Sequence, residues 1–348
     1  MGEKHIARFE PVGIELEVDE DETILDAAFR QGIMLMHGCK EGQCAACKSF
    51  LLDGEVDLDR YSTFALPDFE ESEGYTLLCR AHAMSDVEIE LLNFDEEIIR
   101  SGVPIVEATA EVAAVEDLTR DIRRLVLRLP EPVAFSAGQY MDIQIPGAAD
   151  GEHRSFSMAN TPGDPNELEF MIKLYEGGHF SGLLAESANG NGIKVGDQLT
   201  CKGPYGVFTL RDSSPRRLVF IAGGAGMAPI ISLLRSMVEK GTTRPATFYY
   251  GARTEDDLFA LEELERLGGA LPDMTFVPAL SEADEQTGWS GEAGLITDVV
   301  DRMEEDLTEV DAYLCGPPPM VDAAIALLER RGCAEAHIYF DKFTTSAE

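Results

Sequence analysis

Four cysteines constrain the fold of this chain more than any other feature. Cys39, Cys44 and Cys47 follow the spacing C-x4-C-x2-C within one short segment, and Cys79 comes from a separate segment. Plant-type [2Fe–2S] clusters use this spacing, because four thiolates must converge on two irons. A structural zinc site is the competing interpretation, but zinc sites usually use paired C-x2-C units, and only one such unit occurs here. The spacing therefore favours a loop wrapped around a [2Fe–2S] cluster.

The residues between these cysteines are small. Gly38, Gly42, Ala45 and Ala46 allow the chain to close around a cluster and to turn backbone N–H groups toward its sulfur atoms. The thiolates of this loop and of the fourth cysteine are therefore the predicted metal ligands. The remaining cysteines lie in other segments and are not candidate ligands: Cys201, Cys315 and Cys333.

The chain is strongly acidic. Its 348 residues carry a formal net charge of −36, which argues against nucleic acid or an anionic membrane as a partner. Residues 1–100 contain 24 Asp or Glu against 8 Lys or Arg. This excess is consistent with a solubilising surface, with adaptation to salt, or with a docking face for a basic partner. Glu70, Glu71 and Glu73, shortly before the fourth cysteine, are expected to face solvent.

The longest apolar run does not predict a membrane span. The run from Leu218 to Leu234 is short for a span and is broken by Gly223, Gly224 and Pro229, which indicates a strand, a turn and a helix. The sequence opens without the apolar core of a signal peptide. We therefore expect a cytoplasmic protein. Because disulfides are rare in the cytoplasm, the seven cysteines of the chain indicate metal binding or redox chemistry.

Hydrophobic periodicity divides the chain into three predicted domains, at residues 1–99, 104–212 and 215–348. The first reads as a small α+β domain. Ile14 and Val18 belong to an alternating, half-buried strand, and a capping box predicts a short helix shortly afterwards. A linker is predicted from Arg100 to the start of the second domain.

The second domain is predicted to be an antiparallel β-barrel. Leu168, Phe170, Ile172 and Leu174 alternate with other residues in a strand, and turn signals recur at regular intervals along the segment. Only one short helix is indicated, around Phe180–Ser187. Many short strands with regular turns favour a barrel over an α/β fold.

The third domain alternates strands with helices, which predicts a doubly wound parallel sheet. The candidate strands are Leu218–Ala222, Ala246–Gly251, Met274–Ala279, Asp311–Cys315 and His337–Phe340. The candidate helices between them include Ile230–Glu239, Leu258–Leu267 and Met320–Arg331.

A glycine-rich turn opens the third domain. Gly224, Gly226 and Pro229 directly follow the apolar strand Leu218–Ala222 and precede a helix. A pyrophosphate binds at such a helix N-terminus, because glycine lets the backbone approach it closely. A glycine-rich turn without a ligand is the alternative interpretation of the same residues.

The end of the second strand carries charged residues that would lie near the ribose of a bound dinucleotide. Arg253 is followed by Glu255, Asp256 and Asp257. A 2′-phosphate recruits basic residues, whereas carboxylates repel it and can bind a ribose hydroxyl. Arg253 can serve the other phosphates of the cofactor or pair with these acids. The cluster therefore favours NADH over NADPH.

Two motifs in the second domain resemble the flavin site of the ferredoxin–NADP reductase superfamily. Arg154, Ser155, Phe156 and Ser157 resemble its Arg-x-Tyr-Ser motif, with phenylalanine where the family usually has tyrosine. The resemblance implies FAD, with the guanidinium on the pyrophosphate, the Phe156 ring beside the isoalloxazine, and Ser157 as a nearby hydrogen-bonding group. The downstream sequence Gly-x-x-Ser, comprising Gly178 and Ser181, resembles the family's phosphate motif at a helix start.

The residues at the end of the fourth predicted strand also resemble this superfamily. Cys315, Gly316 and Pro317 are similar to its Cys-Gly-Pro-Pro segment, which implies that Cys315 faces the nicotinamide near the path of hydride transfer. A buried small residue in a central strand is the alternative. Asp341 and Phe343 are similar to the family's terminal acidic and aromatic pair, which implies a phenylalanine that covers the flavin ring. A packed strand end explains this pair nearly as well.

The order of all three segments resembles the reductase components of soluble di-iron monooxygenases, including the methane, propane and phenol or toluene enzymes. This resemblance implies a β-grasp ferredoxin domain, an FAD barrel, an NAD domain and a di-iron hydroxylase as partner. FAD would take two electrons from NADH and release them singly to the cluster. Two alternatives remain open, namely the reductase of a Rieske-type dioxygenase and a redox-sensing module that turns nothing over.

Overall fold

A computed structural model of the chain describes residues 2–149, 151–283 and 288–343. Packing divides it into two compact units. The first comprises Met1–Val106 with Pro204–Val207, and the second comprises Glu107–Gly203 with Phe208–Glu348. No helix within the described ranges is long and apolar enough to cross a membrane.

The first unit has a β-grasp fold. Its strands are β1 (Lys4–Glu10), β2 (Ile14–Asp19), β3 (Lys48–Asp53), β4 (Val56–Leu58), β5 (Tyr75–Leu77), β6 (Ala81–Ala83) and β7 (Val87–Leu91). Five of them form a sheet of order β2-β1-β7-β3-β5, in which β1 pairs antiparallel with β2 and parallel with β7. Strands β4 and β6 form a separate pair. The helices are α1 (Ile24–Arg30), α2 (Asp68–Ser72) and α3 (Glu96–Arg100).

Helix α1 begins and ends where the sequence indicates. Thr23 is its N-cap, and the Thr23 hydroxyl accepts a hydrogen bond of 3.1 Å from the Asp26 N–H. Gly32 follows the helix with φ of +74°, a conformation that glycine adopts without a Cβ clash. Helices α2 and α3 were not predicted, and α3 ends at Arg100, the first residue of the predicted linker.

Six antiparallel strands form the barrel of the second unit. They are β8 (Val106–Asp117), β9 (Ile122–Arg128), β10 (Tyr140–Gln144), β11 (His153–Ser157), β12 (Glu167–Lys173) and β13 (Gln198–Tyr205), with helix α4 (His179–Ala185). The sheet order is β11-β10-β13-β8-β9-β12. A bridge between Met158 and Phe170 joins the two edge strands, so the barrel is nearly closed.

The same unit contains an all-parallel sheet with helices. Its strands are β14 (Arg217–Gly223), β15 (Ala246–Ala252), β16 (Met274–Leu280), β17 (Glu292–Ala293), β18 (Val310–Gly316) and β19 (Ile338–Lys342). Their order is β17-β16-β15-β14-β18-β19. The helices are α5 (Met227–Lys240), α6 (Leu261–Ala270), α7 (Ile296–Met303) and α8 (Pro318–Arg330). Alternate residues of β14 enter two separate cores, so both faces of the sheet are covered. The predicted barrel and doubly wound sheet are both confirmed.

One barrel strand differs from the predicted half-buried pattern. In β12 the residues from Leu168 to Ile172 are all buried, including Glu169 and Met171. The outer face is covered because Met171 joins the core of the parallel-sheet domain, and Glu169 pairs with Arg235 of helix α5. Tertiary packing thus removes the alternation expected for a strand with one solvated face.

Candidate functional site

The four predicted ligand cysteines lie together as two pairs. The Cys39 and Cys44 thiols are within hydrogen-bonding reach of each other, and so are those of Cys47 and Cys79. No set of three or more His, Cys, Asp or Glu in the described part of the chain converges on one point. A [2Fe–2S] cluster needs two thiolates at each iron, whereas zinc needs four donors at one point. The paired arrangement fits the cluster.

Backbone donors surround these thiols. The Cys39 Sγ accepts from the N–H groups of Glu41 (3.4 Å) and Gln43 (3.1 Å), and the Cys44 Sγ accepts from the Cys39 N–H (3.2 Å). The Cys44 thiol and these backbone donors lower the pKa of the Cys39 thiol, whereas the contact between the two thiols raises the pKa of Cys44. Such donors favour thiolates, which are the form that binds iron.

The loop depends on its glycines for space. A Cβ on Gly38 would lie 2.8 Å from the Cys44 Sγ. Gly42 has φ of +69°, and a Cβ there would lie 2.8 Å from the Tyr61 Cβ. Lys40 and Ala45 also have positive φ, of 58° and 59°. Such a run of turned backbone directs N–H groups inward, as the small residues of the sequence predict.

One of the three carboxylates expected to face solvent does not. Glu70 forms an ion pair with Lys48, the residue next to Cys47, and the two side chains keep about a quarter or less of their surface exposed (25% and 19%). Glu71 accepts a hydrogen bond of 2.6 Å from the Tyr61 hydroxyl and is exposed, as is Glu73. The expectation is therefore wrong for Glu70, because helix α2 lies beside the start of β3.

Sequence reasoning missed a histidine two residues before the first cysteine. His37 is buried, its Nδ1 donates to the Leu35 carbonyl (2.8 Å), and its Nε2 accepts from the Gly206 N–H (3.3 Å). Lys40 lies 3.3 Å from the centre of the Tyr205 ring. These contacts hold the segment Pro204–Val207 within the first unit. No local pattern pointed to them.

The predicted flavin-phosphate cation is held in place by a glutamate. Arg154 lies in β11, and its guanidinium donates to the Glu152 carboxylate (3.0 Å). His179 at the start of α4 contacts the same carboxylate oxygen through Nδ1, also at 3.0 Å. Glu152 thus brings together two groups that can bind an anion at this corner of the barrel. The sequence singled out Arg154 but neither Glu152 nor His179.

The rest of the tetrapeptide alternates along β11. The Ser155 hydroxyl donates to Asp142 (2.6 Å). Phe156 packs against Phe180 with ring centres 4.9 Å apart, so part of its ring belongs to the barrel core. Ser157 is buried and points to the parallel-sheet domain. One edge strand therefore offers a cation, an aromatic face and a buried hydroxyl in sequence, a set that fits an FAD molecule.

The second predicted flavin motif is compact. Gly178 precedes α4, and a Cβ there would lie 2.2 Å from the Ser181 Oγ. The Ser181 hydroxyl is buried and accepts from the Tyr175 N–H (3.1 Å). The hydroxyl is thus occupied within the turn, and phosphate contact by this motif would have to come from its backbone. This role of Gly178 and Ser181 stays a prediction.

The glycine turn of the third domain is packed tightly against the end of β18. Gly224 has φ of +56°, and a Cβ on Gly226 would lie 2.2 Å from the Cys315 carbonyl oxygen. Gly316 has φ of +139°, and a Cβ there would lie 2.8 Å from the Gly223 carbonyl oxygen. Only glycines allow the two strand ends to approach so closely. Both ends thus present backbone at the same edge of the parallel sheet.

The helices that leave this edge begin two or three residues before their predicted starts, because α5 begins at Met227 and α8 at Pro318. Pro229 is buried in the first turn of the 14-residue helix α5, and Pro317 is the residue that precedes α8. The carboxyl ends of β14 and β18 and the N-terminus of α5 therefore meet. Ligands of parallel sheets bind at such an edge, and the N–H groups there suit a pyrophosphate.

A hydrogen bond between a buried serine and a partly buried aspartate joins the barrel to this edge. The Ser157 Oγ donates to the Asp341 Oδ2 at 3.1 Å, and Asp341 lies in register with Cys315 on the neighbouring strand. Cys315 is completely buried, which raises the pKa of its thiol well above the ordinary value. Desolvation also raises the pKa of Asp341, although the Ser157 hydroxyl opposes this shift. Three predicted catalytic side chains are thus brought together.

The fourth predicted catalytic residue lies beside them. The Phe343 N–H donates to the Gly316 carbonyl (3.0 Å), and the half-buried Phe343 ring packs against the core that contains Cys315. This position is compatible both with a ring near the flavin and with a packed strand end. Its role in covering the flavin stays a prediction.

The acidic cluster after β15 divides into two kinds of residue. The Asp257 carboxylate accepts from the Thr254 N–H and hydroxyl, both at 3.1 Å, and so caps a short 3-10 turn. Glu255 and Asp256 remain exposed. Arg253 lies 3.8 Å from Asp257 and 3.8 Å from Asp121 of the barrel. Arg120 of the barrel also pairs with Asp257, at 3.1 Å. Carboxylates therefore flank Arg253, and Asp257 engages both guanidinium groups.

The sequence matches three domain families in the order of these sites. It matches a 2Fe-2S iron-sulfur cluster binding domain at residues 8–84, an oxidoreductase FAD-binding domain at residues 109–210 and an oxidoreductase NAD-binding domain at residues 220–325. The chain is 53% identical over 352 residues to the reductase component of propane 2-monooxygenase from Rhodococcus jostii, covering 100% of this chain and 93% of that protein. The chain belongs to the family of iron–sulfur flavoprotein reductase components of oxygenases.

Other members of this family are similar over their whole length. The reductase component of phenol 2-monooxygenase from Pseudomonas is 39% identical, with 97% of this chain and 94% of that protein covered. The crystal structure of the Amycolatopsis cytochrome P450 reductase GcoB superposes with a TM-score of 0.85 at 30% identity, covering 99% and 100% of the two chains. The protein is an oxidoreductase with domains for a [2Fe–2S] cluster, FAD and NAD. The predictions of fold, family and cofactors are confirmed.

Proposed function

We propose that this protein is the cytoplasmic, NADH-dependent reductase of a soluble di-iron monooxygenase of the propane type. The observation that carries the proposal is the 53% identity to a propane 2-monooxygenase reductase component over the whole chain. The identity to the P450 reductase is 30%. Within the chain we assign residues 1–99 to the cluster, 104–212 to FAD and 215–348 to NADH.

The residues of the nicotinamide edge are assigned to binding and orientation. Gly224 and Gly226 let the NADH pyrophosphate approach their backbone N–H groups closely. Arg253 contributes positive charge near the other phosphates. Cys315 presents a small, uncharged thiol at the base of the nicotinamide position, because its burial keeps it protonated. The narrow space beside Gly316 limits where the ring can lie.

The residues of the barrel are assigned to FAD. Arg154 binds the pyrophosphate, and Phe156 and Ser157 lie along the ring system. When bound, FAD accepts two electrons as a hydride from NADH and releases them singly, which matches the one-electron capacity of the cluster. The Ser157–Asp341 hydrogen bond fixes the barrel strand to the nicotinamide edge, so that both nucleotides are held in one orientation.

Oxygen activation is assigned to a separate protein. Di-iron carboxylate sites use two Glu-x-x-His motifs, and the sequence contains one, from Glu176 to His179. We therefore assign electron exit to the cluster of Cys39, Cys44, Cys47 and Cys79, and the di-iron site to a partner protein.

Reconstitution tests this assignment. Full-length protein loaded with FAD and cluster is mixed with NADH and with the purified hydroxylase and remaining components of Mycolicibacterium smegmatis propane 2-monooxygenase. We expect NADH-dependent hydroxylation of propane, and no comparable turnover with a Rieske-type dioxygenase in place of the hydroxylase. Equal or faster turnover with the dioxygenase would contradict the di-iron assignment. Failure of NADH to bleach the flavin and cluster within seconds under anaerobic conditions would instead favour the redox-sensing module.

A further inference from the structure

One phenylalanine of the first unit, which contains the cluster cysteines, is almost fully exposed to solvent. Phe64 keeps 95% of its surface exposed, more than any other large hydrophobic side chain in the described part of the chain. Its neighbours Ala65 and Leu66 are buried, at 1% and 0% exposure. Phe69, on helix α2, is 62% exposed. Single exposed apolar residues are common, but this one is presented by a fixed backbone and has a second exposed aromatic five residues away.

The segment that carries Phe64, residues 59–73, is bonded to the cluster loop. Gly42 lies in that loop between Cys39 and Cys44, and its carbonyl accepts from the Ser62 N–H at 3.0 Å. Gly42 also packs against Tyr61 so closely that a Cβ would not fit. A hydrogen bond therefore connects the loop that carries three ligand cysteines to Ser62, two positions from Phe64.

Further contacts fix this segment. The Phe64 N–H donates to the Ser62 hydroxyl (3.2 Å), and the N–H groups of Ala65 and Leu66 donate to the Ser62 carbonyl (2.9 and 3.1 Å). The exposed ring therefore lies on a turn that its own hydrogen bonds hold in one conformation without a partner. Preorganised aromatic side chains lose little conformational entropy on binding, and aromatic residues dominate the binding energy of interfaces.

The segment is also acidic. Residues 59–73 contain five Asp or Glu and one Arg. Two of the carboxylates are compensated within the unit, because Asp59 pairs with Arg80 at 2.9 Å and Glu70 pairs with Lys48. The other three have no ion pair among the described residues: Asp68, Glu71 and Glu73. They leave net negative charge around the exposed rings.

We propose that residues 59–73 are the docking site for the hydroxylase that accepts electrons from the cluster. Phe64 inserts into an apolar pocket of the hydroxylase, and basic residues at the rim of that pocket meet Asp68, Glu71 and Glu73. The occupant follows from two observations. The segment carries uncompensated negative charge, and it is hydrogen-bonded to the cluster loop at Gly42. An electron acceptor must approach the cluster closely, so a partner that binds here is well placed to receive electrons. This inference rests on the proposed function, which supplies the hydroxylase.

The experiment compares F64A with F94A in full-length protein loaded with FAD and cluster. Phe94 is also an exposed phenylalanine of the same unit (38%), and it lies outside residues 59–73. Hydroxylation is measured over a range of hydroxylase concentrations, and NADH-driven ferricyanide reduction is measured in parallel. For F64A we expect kcat/KM for the hydroxylase to fall by about tenfold or more, mainly through KM, as for an interface hot spot. Ferricyanide reduction and the visible spectrum of the cluster should stay unchanged.

Two further comparisons complete the test. F64L keeps apolar bulk and should recover much of the lost kcat/KM, whereas F94A should match the unsubstituted protein. The docking proposal is overturned if F64A has the same kcat/KM for the hydroxylase as the unsubstituted protein, or if F64A and F94A lose kcat/KM equally. If the unsubstituted protein itself reduces ferricyanide but not the hydroxylase, the proposed function fails and the docking proposal fails with it.

Discussion

The carboxylate of Glu169 accepts a hydrogen bond of 2.7 Å from the guanidinium of Arg235. Glu169 lies in barrel strand β12, and Arg235 lies in helix α5 of the parallel-sheet domain, which begins directly after the glycine turn. Arg235 also donates to the Ala159 carbonyl (2.8 Å), two residues after Ser157. Helix α5 therefore extends from the predicted NADH pyrophosphate site to the backbone that follows the predicted flavin motif.

We predict that R235A slows hydride transfer from NADH to FAD. Loss of the guanidinium frees the Ala159 carbonyl and leaves Glu169 with Arg124 as its remaining basic partner (2.8 Å). The free energy of unfolding should fall by about 3–5 kcal/mol, as when one partner of a buried pair is removed. Stopped-flow measurement of flavin reduction should show a slower rate at saturating NADH, together with a weaker charge-transfer band between flavin and nicotinamide.

A matched control is available in the same domain. Arg217 forms a bidentate pair with Glu304 (3.0 and 2.8 Å), at the opposite end of β14 from the glycine turn. R217A should lower stability comparably but leave flavin reduction unchanged. Equal slowing in R217A and R235A would show that the effect on flavin reduction is one of general stability.

The same pair predicts a response to acid. Desolvation acts to raise the pKa of Glu169, but Arg235 and Arg124 outweigh it and hold the pKa below the ordinary value. The stabilisation is therefore fully present above the unfolded-state pKa of about 4.3 and is lost as the pH falls through the lower folded-state pKa. Unfolding measured from pH 6 to pH 3 should show a smaller acid loss for E169Q than for the unsubstituted protein.

We predict that D341N stabilises the protein and impairs the reaction. Desolvation raises the folded-state pKa of Asp341, so the ionised carboxylate costs stability, and this cost grows as the pH rises through that pKa. At pH 7 the variant should be more stable by about 1 kcal/mol, with the gain vanishing below the unfolded-state pKa of about 3.9.

Flavin reduction by NADH should be slower in D341N, because the Ser157 hydroxyl then meets a neutral amide. Stopped-flow reduction and thermal unfolding check the two effects separately. The control D322N alters an exposed aspartate of helix α8, which pairs at 2.7 Å with Lys342, a residue of the same strand as Asp341. D322N should change neither the stability nor the rate of flavin reduction by a similar amount. An unstable D341N variant with normal flavin reduction would contradict both expectations.

The sequence predicted features whose signal is local. The cysteine spacing identified all four paired thiols, and Thr23 identified the start of α1. Gly224 and Gly226 identified the edge of the parallel sheet. Each of these depends on residues close together in the chain, where one conformation is required for steric reasons.

The features that the sequence did not predict depend on distant residues or on very short elements. Glu169 and Arg235 pair across 66 positions, and a glutamate in a strand pattern reads as an exposed residue until its partner is known. Helices α2 and α3 contain five residues each, which is too short for helical periodicity. The capping role of Asp257 was readable from Thr254 three positions earlier, but the acidic run suggested a single ligand-binding function.

We predict that C47S loses the cluster but keeps the flavin reaction. Cys47 is one of the paired thiols, whereas the barrel and the parallel sheet have their own cores. The visible absorption of the cluster and all hydroxylase-dependent turnover should disappear. NADH-driven ferricyanide reduction should remain within about twofold, since additive behaviour is expected for distant sites. C333S, at a buried cysteine of the parallel-sheet domain, should keep both properties, and joint loss of both in C47S would show that the domains are not independent.

We predict a preference for NADH that depends on Glu255 and Asp256. Both carboxylates are exposed beside the end of β15 and would repel a 2′-phosphate. The variant E255Q/D256N should raise kcat/KM for NADPH by about threefold to tenfold, the range expected for surface charges close to a ligand, with little change for NADH. The pair E305Q/E309Q, exposed elsewhere in the domain, serves as the control. Equal kcat/KM for NADH and NADPH in the unsubstituted protein would overturn the NADH assignment.

The acidic surface of the ferredoxin unit should make electron delivery sensitive to salt. Charges more than about 10 Å apart are largely screened at 0.1 M salt, so the rate of hydroxylase reduction should fall as salt rises. Ferricyanide reduction needs no docking of a macromolecule and should respond far less. E71Q/E73Q should reproduce the effect of high salt on the hydroxylase alone. Glu70 is excluded from this variant, because its ion pair with Lys48 adjoins a ligand cysteine.

The control for E71Q/E73Q is a variant with the same net charge. E88Q/E90Q removes two carboxylates from strand β7 of the same unit, outside residues 59–73. If docking uses the 59–73 segment, this control should retain the salt dependence that E71Q/E73Q loses, although both proteins carry the same net charge. Parallel salt curves for the hydroxylase and ferricyanide in the unsubstituted protein would show instead that the acidity serves solubility. Equal effects of the two variants would mean that net charge, and not a local face, steers the encounter.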